Sequence, residues 1–256
     1  MQSLSVVLAT FNEEENIGKC LNSIRDIAQE IVVVDGTSSD RTVEIAKRYG
    51  AKVYITENKQ NFHINKQMAI DNATKSWILQ LDADEVVSKS LQSEIEQKIQ
   101  IKNNEIHGYW MPRKNWFLGK FLTKGGQYPD YTLRLYRKGS GRLPQKDVHE
   151  QAVVEGETEY LTHPLLHYPY KDFKHYFQKW IRYVDLTSSQ IRVQKDFFTI
   201  KKFISYLFVL PMYWFFLIYL RHKGFVDLWP GFLFAFFSAL RYPTSYLRAL
   251  FLNEKK

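Results

Sequence analysis

Three acidic residues, Asp82, Asp84 and Glu85, follow directly on the largely apolar run at residues 77–81. Apolar runs of this length are typical of buried strands. Carboxylates crowded at the end of a strand repel one another unless a cation or a proton joins them. Asp82 and Asp84 could therefore turn toward one hard divalent cation, because Mg2+ takes one or two protein carboxylates together with substrate phosphates. Taken alone, the stretch favours the simpler interpretation of a solvated acidic turn that caps the next helix.

The surrounding sequence alternates between strand and helix patterns. Strands are predicted at 4–9, 31–34, 52–55 and 77–81, and helices follow them near 13–24, 40–46, 65–73 and 91–99. Such alternation implies a largely parallel sheet covered by helices, and sheets of this kind bind ligands beyond the carboxyl ends of their strands. Residues 10–14, Asp35 and residues 82–84 all stand at such ends. This coincidence favours a binding cleft over a solvated turn.

After residue 105 the alternation stops. Short antiparallel or mixed strands are predicted at 109–113, 132–137 and 148–154, and a helix of mixed polarity at 171–194. Neither a G-x-G-x-x-G motif after the first strand nor a G-x-x-x-x-G-K-[ST] motif is present, so the sequence does not support a dinucleotide oxidoreductase or a P-loop enzyme.

Composition limits the class of protein. With 256 residues, 45% of them hydrophobic and 24% charged, the chain can fold as one large domain with an appendage. The single Cys20 excludes a disulfide framework and a cysteine-built zinc site, and suits a reducing compartment. The first strand follows Met1 so closely that we expect no secretory signal.

The last part of the chain is both basic and aromatic. Residues 201–256 contain eight Lys or Arg against two acids, and 17 of the 40 aromatic residues. Apolar residues fill the space between the charges, which favours an anionic lipid surface over nucleic acid. The uncharged run 203–220 is borderline in length for a membrane span, and the run 228–240 is short for one. We favour an in-plane hairpin on the membrane; a true span or re-entrant pair, and a tail folded onto the domain or a dimer interface, remain alternatives.

Three segments together resemble family 2 glycosyltransferases, which have the GT-A fold. They are ATFNEE at 9–14, VVDGTSSDRT at 33–42 and LDADE at 81–85, and the likeness extends over about residues 1–190. The segments GGQYPD at 125–130, LRLYR at 133–137 and VHE at 148–150 are similar to the subgroup that contains lipopolysaccharide-core β-glucosyltransferases. The resemblance implies an α/β fold with a Rossmann-like, mixed, mainly parallel sheet flanked by helices, here followed by a helical membrane-associating extension.

The resemblance also implies roles for individual residues. The base and ribose of a nucleotide sugar, most often a UDP-sugar, would contact Thr10, Asn12, Glu14 and Asp35. Asp84, with Asp82 beside it, would hold Mg2+ or Mn2+ against the diphosphate, the second acid usually being the direct metal ligand.

Three residues besides Asp82 and Asp84 are candidates near the diphosphate. Asp82 would also contact the sugar or ribose, and Lys66 could add positive charge beside the phosphates. His149 is a candidate second metal ligand or phosphate contact. His167 is a weaker candidate, since Pro164 argues against a helix that would pair it with His163.

The catalytic base is less defined, because the family's usual Glu-Asp pair is absent. Glu150 is the first candidate and Asp130 the second, for an inverting reaction that needs deprotonation of the acceptor hydroxyl. Neighbouring side chains on a strand point to opposite faces, so His149 and Glu150 should not both enter the cleft unless the strand ends there. Glu150 could instead pair with Arg134 or Arg137.

These observations predict a metal-dependent inverting glycosyltransferase. We predict a GT-A domain at 1–196 and a basic, hydrophobic, membrane-associating region at 197–256. That region would hold the enzyme on the cytoplasmic face of the inner membrane as a peripheral or monotopic protein. Its partners would be a UDP-sugar, a lipid-linked or oligosaccharide acceptor such as lipopolysaccharide core, and the membrane surface, but no nucleic acid; a homo-oligomer is left open. The alternatives are a polyprenyl-phosphate sugar synthase and a non-catalytic membrane-associated binding module of the same fold.

Overall fold

The protein is described as a computed structural model that covers residues 2–59, 61–101, 105–144, 151–193 and 199–251. The chain forms two compact units. The first consists of Met1–Lys114 and Asp130–His167, and the second of Asn115–Pro129 and Tyr168–Lys256. The domain boundary that we predict at 196/197 lies in 194–198, outside the described residues.

The first unit is built on a mixed, mainly parallel sheet. Its strands follow the order β3-β2-β1-β4-β8-β6-β12-β5, and β11 is added beside β6. The bounds are β1 (Leu4–Thr10), β2 (Glu30–Asp35), β3 (Lys52–Ile55), β4 (Trp77–Leu81), β5 (Glu85–Val87), β6 (Ile106–Phe117), β8 (Asp130–Arg137), β11 (Glu157–Tyr160) and β12 (Leu165–His167). The first four strands run parallel, as the alternating pattern predicts, and β8 joins β4 in the antiparallel sense.

Helices cover this sheet. They are α1 (Ile17–Asn22), α2 (Thr42–Arg48), α3 (Phe62–Asn72) and α4 (Lys89–Gln100). The helix predicted from Leu91, Ile95 and Ile99 is confirmed, since all three are buried in the main core. A two-stranded ribbon of β9 (Gly141–Arg142) and β10 (Val153–Val154) completes the unit; residues 148–150 of the predicted strand lie outside the described residues.

The second unit is helical. It contains α5 (Phe173–Arg192), an apolar helix (Ile200–Arg221) with two π-helical segments, a short 3-10 turn (Gly224–Asp227) and a tail helix (Leu228–Phe251). The short strand β7 (Lys120–Phe121) pairs with the end of β6. Buried aromatic residues dominate its core: Phe117, Tyr176 and Trp180 pack together with Leu122 and Val184.

The buried Asp227 fastens a loop of the second unit. Its carboxylate accepts hydrogen bonds from the backbone N–H groups of Thr123 and Lys124, both at 2.8 Å, and from the Thr123 hydroxyl at 2.8 Å. A buried carboxylate without such donors would be costly, so this residue anchors the loop at 123–126.

The apolar helix is long and hydrophobic enough to cross a membrane. The helix has 22 residues, its most apolar 18-residue stretch has a mean hydropathy of 1.9, and only 6% of that stretch is buried. The same length would also suit a helix that lies in the membrane interface. A core helix of a soluble protein would be mostly buried, and this one is not.

Candidate functional site

Three strand ends meet at one edge of the sheet. In the register of the parallel pairs, Thr10 lies beside Asp35, and Leu8 lies beside Leu81, the residue before Asp82. Because β1 lies between β2 and β4, the segments that follow all three strands emerge side by side. The predicted convergence of acidic strand ends is therefore present in the fold.

Asp35 is fully buried and satisfied by hydrogen bonds. Its carboxylate accepts from the Thr10 hydroxyl at 2.8 Å, and from the backbone N–H and hydroxyl of Ser38, both at 2.7 Å. These donors stabilise an ionised acid without a cation. Thr10 and Asp35, two of the predicted nucleotide contacts, are thus in direct contact with each other.

Asn12 and Thr37 have left-handed backbone conformations beside Asp35. Their φ angles are +54° and +67°. Asn tolerates this region, but for the β-branched Thr it is an outlier of the kind that clusters at ligand sites. Asn12 joins the two turns, because its N–H donates to the Ser38 hydroxyl at 2.8 Å and its side-chain oxygen accepts from the Ser39 N–H at 2.9 Å.

Glu14 makes an ion pair of its own beside this cluster. Its carboxylate pairs with the Arg41 guanidinium at 3.2 Å and accepts from the Arg41 N–H, also at 3.2 Å. Glu14 and Arg41 are both partly exposed. The structure therefore places three predicted nucleotide residues, Thr10, Asn12 and Asp35, in one connected cluster, and Glu14 in a surface ion pair beside it.

Asp82 is held by two cations. The Lys66 ammonium pairs with one carboxylate oxygen, and the Arg134 guanidinium lies 2.6 Å from the other. Burial raises the pKa of Asp82, but the charges and hydrogen bonds of Arg134 and Lys66 outweigh burial and leave that pKa well below its usual range. Burial lowers the pKa of Arg134, but the negative charges of Asp82 and Glu85 outweigh burial and raise that pKa above its usual value. Asp82 therefore stays ionised.

Glu85 is a fully buried acid that holds the backbone of Asp82 in place. It accepts from the Asp82 backbone N–H at 2.9 Å and pairs with Arg134 at 2.9 Å and Arg113 at 3.5 Å. Arg113 also makes two hydrogen bonds to one oxygen of Asp130, at 2.7 and 2.9 Å. This network of alternating charges fixes the backbone turn that carries Asp82.

A polar cavity of about 250 Å3 opens against this network. Lys66, Arg113 and Arg134 contribute positive charge to its wall, and Asp82 contributes a carboxylate. The Arg134 Nε and the Thr132 hydroxyl are buried there without a hydrogen-bond partner among the described residues. Since buried polar groups without partners are costly, these two atoms are suited to a polar ligand such as a sugar hydroxyl or a phosphate.

Asp84 lies apart from Asp82 and faces a histidine. The antiparallel pairing of β5 with β12 sets His167 beside Glu85, and the His167 Nε2 lies 3.3 Å from an Asp84 carboxylate oxygen. No group of three or more His, Cys, Asp or Glu side chains suited to a metal occurs within the described ranges. The Asp84 carboxylate, with further positions left for phosphate oxygens, nevertheless fits Mg2+ or Mn2+, and the imidazole is a ligand that suits Mn2+ better than Mg2+.

The thiol of Cys20 reports the negative charge gathered around the motif. Burial raises the pKa of Cys20 well above its usual value, and the charges of Glu85, Asp84 and Asp82 raise it further. The thiol donates to the Asp82 carbonyl at 3.6 Å. The carboxylates of residues 82–85 therefore act on this thiol in the same direction as its burial.

The remaining candidates are placed as follows. Asp130 is the first residue of β8 and pairs with Arg113. Glu150 and His149 lie outside the described residues, so their roles stay predictions. Arg137 is on the opposite face of β8 from Arg134, because its guanidinium lies 4.9 Å from the Trp77 ring centroid and donates to the Ile106 carbonyl.

Sequence reasoning overlooked the residues that support the acids. Glu85, Arg113 and Thr132 received no role, although the first belongs to the motif itself. An arginine within an otherwise apolar strand is the available signal, because a buried cation requires an acidic partner. The sequence alone does not identify which acid that partner is.

The chain matches the family model for glycosyl transferase family 2 over residues 5–144. It is also 30% identical over 252 residues to the lipopolysaccharide core biosynthesis glycosyltransferase LpsC of Rhizobium meliloti, an alignment that covers 93% of this chain and 91% of the relative. The chain belongs to glycosyltransferase family 2. The predicted family and the predicted GT-A fold class are confirmed.

Three further similarities of this family 2 chain are shorter or more distant. An uncharacterized glycosyltransferase of Rickettsia typhi, RT0209, is 42% identical over 96 residues, which is 38% of this chain and 32% of that protein. Among solved structures, S. aureus TarS 1–349 aligns with 96% of this chain and 91% of its own at 14% identity and a TM-score of 0.48. Glucosyl-3-phosphoglycerate synthase from Mycobacterium tuberculosis, with Mn2+ and UDP, aligns with 46% of this chain and 45% of its own at 20% identity and a TM-score of 0.36.

Proposed function

We propose that this family 2 member is a metal-dependent, inverting glycosyltransferase that moves a sugar from a UDP-sugar to a lipid-linked or envelope oligosaccharide, such as lipopolysaccharide core. The observation that carries the proposal is the meeting of Asp35, Asp82 and Asp84 at one sheet edge, beside a cavity lined by three cations. The long alignment with a lipopolysaccharide core enzyme supports the class of acceptor.

The nucleotide would bind at the ends of β1 and β2. Asp35 is fixed by Thr10 and Ser38, so its carboxyl group offers a pre-oriented acceptor for an N–H of a base or a hydroxyl of a ribose. The left-handed turn at Asn12 presents short polar groups beside it. Glu14 would join this site by leaving its exposed pair with Arg41, which costs little because exposed ion pairs are weak.

The diphosphate would lie near Asp84. Asp84 and His167 would hold the Mg2+ or Mn2+ ion, with the predicted His149 as a further candidate. When bound, the dication offsets the negative charge that grows on the departing UDP. Asp82 has both oxygens on Lys66 and Arg134, which favours a role in orienting the sugar or ribose over direct metal ligation.

The acceptor hydroxyl requires a base for inversion in one step. Glu150 is the proposed base and Asp130 its rival. Asp130 already accepts two hydrogen bonds from Arg113, so one of its carboxylate oxygens is occupied before an acceptor hydroxyl arrives. Glu150 is therefore the better candidate for proton removal.

The enzyme would work at the cytoplasmic face of the inner membrane. The exposed, apolar surface of the apolar helix supports attachment there, and tethering would raise the local concentration of a lipid-linked acceptor.

The test of the proposal is metal-dependent UDP release. We expect UDP-sugar hydrolysis or transfer with Mn2+ to fall by about 100-fold or more in Asp84→Asn, because charge stabilisation of the leaving group is lost. Asp26→Asn removes a carboxylate whose side chain is 68% exposed, and serves as the control. Full activity of Asp84→Asn, or no UDP binding by the wild type in the presence of Mn2+, would contradict the proposal.

The same assay separates the alternatives. A polyprenyl-phosphate sugar synthase has an acceptor that needs no strong base, so Glu150→Gln and Asp130→Asn would both stay active with it. For a non-catalytic binding module, nucleotide sugars would raise the thermal stability without any release of UDP.

A further inference from the structure

A second cavity lies wholly within the helical unit, and the proposed chemistry leaves it without a role. Its volume is about 530 Å3, twice that of the cavity beside Asp82. Three helices and the Gly125-Gly126-Gln127 segment enclose it. That segment is part of the sequence that resembles the lipopolysaccharide-core subgroup.

Each helix contributes one face to this cavity. In α5 the lining residues are Tyr176, Lys179, Trp180 and Tyr183, and in the tail helix they are Phe234, Phe237, Ser238, Arg241 and Tyr242. The α5 set follows the spacing i, i+3, i+4, i+7, and the tail-helix set adds i+8, so each places its side chains along one stripe of its helix. The apolar helix adds Trp214, Leu217 and Ile218. The cavity is therefore formed where the faces of three helices meet.

The walls combine aromatic surfaces with positive charge. Trp214 stacks on Tyr242 with ring centroids 5.9 Å apart and planes 14° from parallel. Among the lining residues the charged side chains are Lys179 and Arg241, and no Asp or Glu contributes. A ligand of this cavity should therefore carry negative charge next to an apolar or ring-shaped part.

Arg241 has hydrogen-bonding capacity left over. Its guanidinium carbon lies 5.4 Å from the Tyr242 ring centroid, and its buried Nε has no hydrogen-bond partner within the described ranges. Lys179 donates to the Pro169 carbonyl at 2.8 Å, and an ammonium has three donors. A phosphate oxygen would satisfy the buried Nε and bring two opposite charges together.

The surroundings of the cavity indicate a lipid rather than a soluble anion. The helix that supplies Trp214 also exposes Met212, Tyr213 and Phe216, which are between 46% and 56% accessible. A lipid whose phosphorylated headgroup occupies the cavity can place its acyl or isoprenoid chains on the exposed apolar surface of this same helix. A small soluble phosphate would leave this surface uncovered.

We propose that this cavity, between α5, the apolar helix and the tail helix, binds the phosphorylated headgroup of an anionic lipid through Lys179 and Arg241. The idea that this lipid carries the sugar acceptor rests on the proposed transferase function. The binding of the lipid to the cavity does not depend on that function. The test therefore uses neither nucleotide sugar nor metal, so either proposal can fail alone.

The experiment measures the headgroup preference of the full chain. The affinity of the protein is measured for phosphatidylcholine nanodiscs with and without phosphatidic acid. The ratio of the two affinities, called the headgroup ratio, separates recognition of the anionic headgroup from insertion into any bilayer. We expect Arg241→Gln to reduce this ratio by about fivefold, the value of one cation near anionic lipid. Lys179→Gln should act in the same direction.

Arg248→Gln is the matched control. It removes an equal charge from the same helix, but Arg248 pairs with Asp185 and does not line the cavity. An equal loss in Arg241→Gln and Arg248→Gln would reduce the effect to surface charge and overturn the proposal. Equally, competition by glycerol 3-phosphate or inorganic phosphate as effective as that of the lipid would overturn the lipid assignment.

A second variant leaves both cations in place. Ser238→Trp fills the cavity from the tail helix, and we expect it to lower the same headgroup ratio while the thermal unfolding midpoint stays near that of the wild type. An unchanged headgroup ratio in Ser238→Trp would contradict binding inside the cavity.

Discussion

Asp82 shows how a single acid can be fixed before any substrate arrives. Lys66 and Arg134 neutralise it from two sides, and Glu85 accepts from its backbone N–H. A carboxylate positioned in this way needs little reorganisation when a sugar hydroxyl binds, which is the electrostatic form of preorganisation. The acid is thus part of a network and not an isolated metal ligand.

Arg134→Met tests that network. The substitution leaves Glu85 fully buried with one of its two cations removed, so we expect the free energy of unfolding to fall by about 3 kcal/mol. Urea unfolding of wild type and variant measures the change. Arg142→Met is the control. The Arg142 side chain is 69% exposed, and the substitution removes only its ion pair with Glu155, in which the two charged groups are 3.9 Å apart. Equal stability of both variants would refute the network's importance.

Glu30 is an acid that serves the fold. Its buried carboxylate accepts from the backbone N–H of Thr74 at 2.7 Å and pairs with Lys52 at 2.8 Å. Burial raises the pKa of Glu30, but Lys52, Ser5 and Thr74 together outweigh burial and lower it from 4.5 to about 2. The ionised form is therefore bound more tightly in the folded chain than in the unfolded one.

Glu30→Gln should remove a pH-dependent part of the stability. A depressed folded-state pKa stabilises fully above the unfolded value of 4.5, and the contribution is lost as the pH falls toward about 2. We expect the variant to be less stable by about 2 kcal/mol at pH 7 and to differ little from wild type near pH 2. Urea midpoints across this range check it, with the half-exposed Glu44→Gln as control. A gap that stays constant with pH would contradict the assignment.

At the residue scale, the sequence identified the acids better than their partners. Asp35 and Asp82 were predictable because each closes a buried strand. Arg134 was recognised as a strand cation, but its pairing with Asp82 depends on the antiparallel register of β8 beside β4, and no local pattern determines which strands become neighbours across 50 residues.

At the scale of elements, β12 is the strand that completes the candidate metal site. Its antiparallel pairing with β5 carries His167 to Asp84, whereas His163 pairs with Glu94 at 2.9 Å. The prediction that Pro164 prevents a shared helix is borne out by this strand. The four-residue spacing of the two histidines therefore has no joint function.

His167→Ala should weaken metal binding. The loss of one of two protein ligands should reduce the affinity for Mn2+ in the presence of UDP by about tenfold or more. Calorimetric titration of Mn2+ into the UDP-saturated protein measures it, and EDTA should abolish activity until Mn2+ is restored. His163→Ala is the control, since that side chain is 47% exposed and bound to Glu94. Unchanged Mn2+ affinity in His167→Ala would remove His167 from the site.

Most helices and strands could be predicted from the sequence. The strands after residue 105 were the hardest to predict. The first four strands follow from short apolar runs, and α1, α4 and α5 follow from apolar residues at helical spacing. β5, β11 and β12 are three or four residues long, too short for a period to emerge. Their positions are set by long-range pairing with β6 and with each other.

At the scale of the whole molecule, the charge and the exposed apolar surface point to a membrane. The chain carries a formal charge of +8, of which +6 lies in residues 201–256. Phe208, Met212 and Leu220 on the apolar helix are each more than half exposed. Such a helix can cross the bilayer or lie in its surface, and the two arrangements differ in where its ends are found.

Cysteine accessibility distinguishes these arrangements. Cys20 is buried and gives little background, so Lys201→Cys and Lys223→Cys can each report one end of the apolar helix. For the in-plane arrangement that we favour, a membrane-impermeant maleimide should label both positions in inverted inner-membrane vesicles and neither in right-side-out spheroplasts. Labelling of the two positions from opposite sides would establish a span instead.

The exposed apolar surface of the apolar helix has a kinetic consequence. Once anchored, the protein and a lipid-borne acceptor would meet by lateral diffusion within a plane, while the water-soluble donor arrives from bulk solution. Turnover should then follow the number of acceptor molecules per unit area of bilayer, and diluting the vesicle suspension at constant donor concentration should leave the rate per enzyme unchanged.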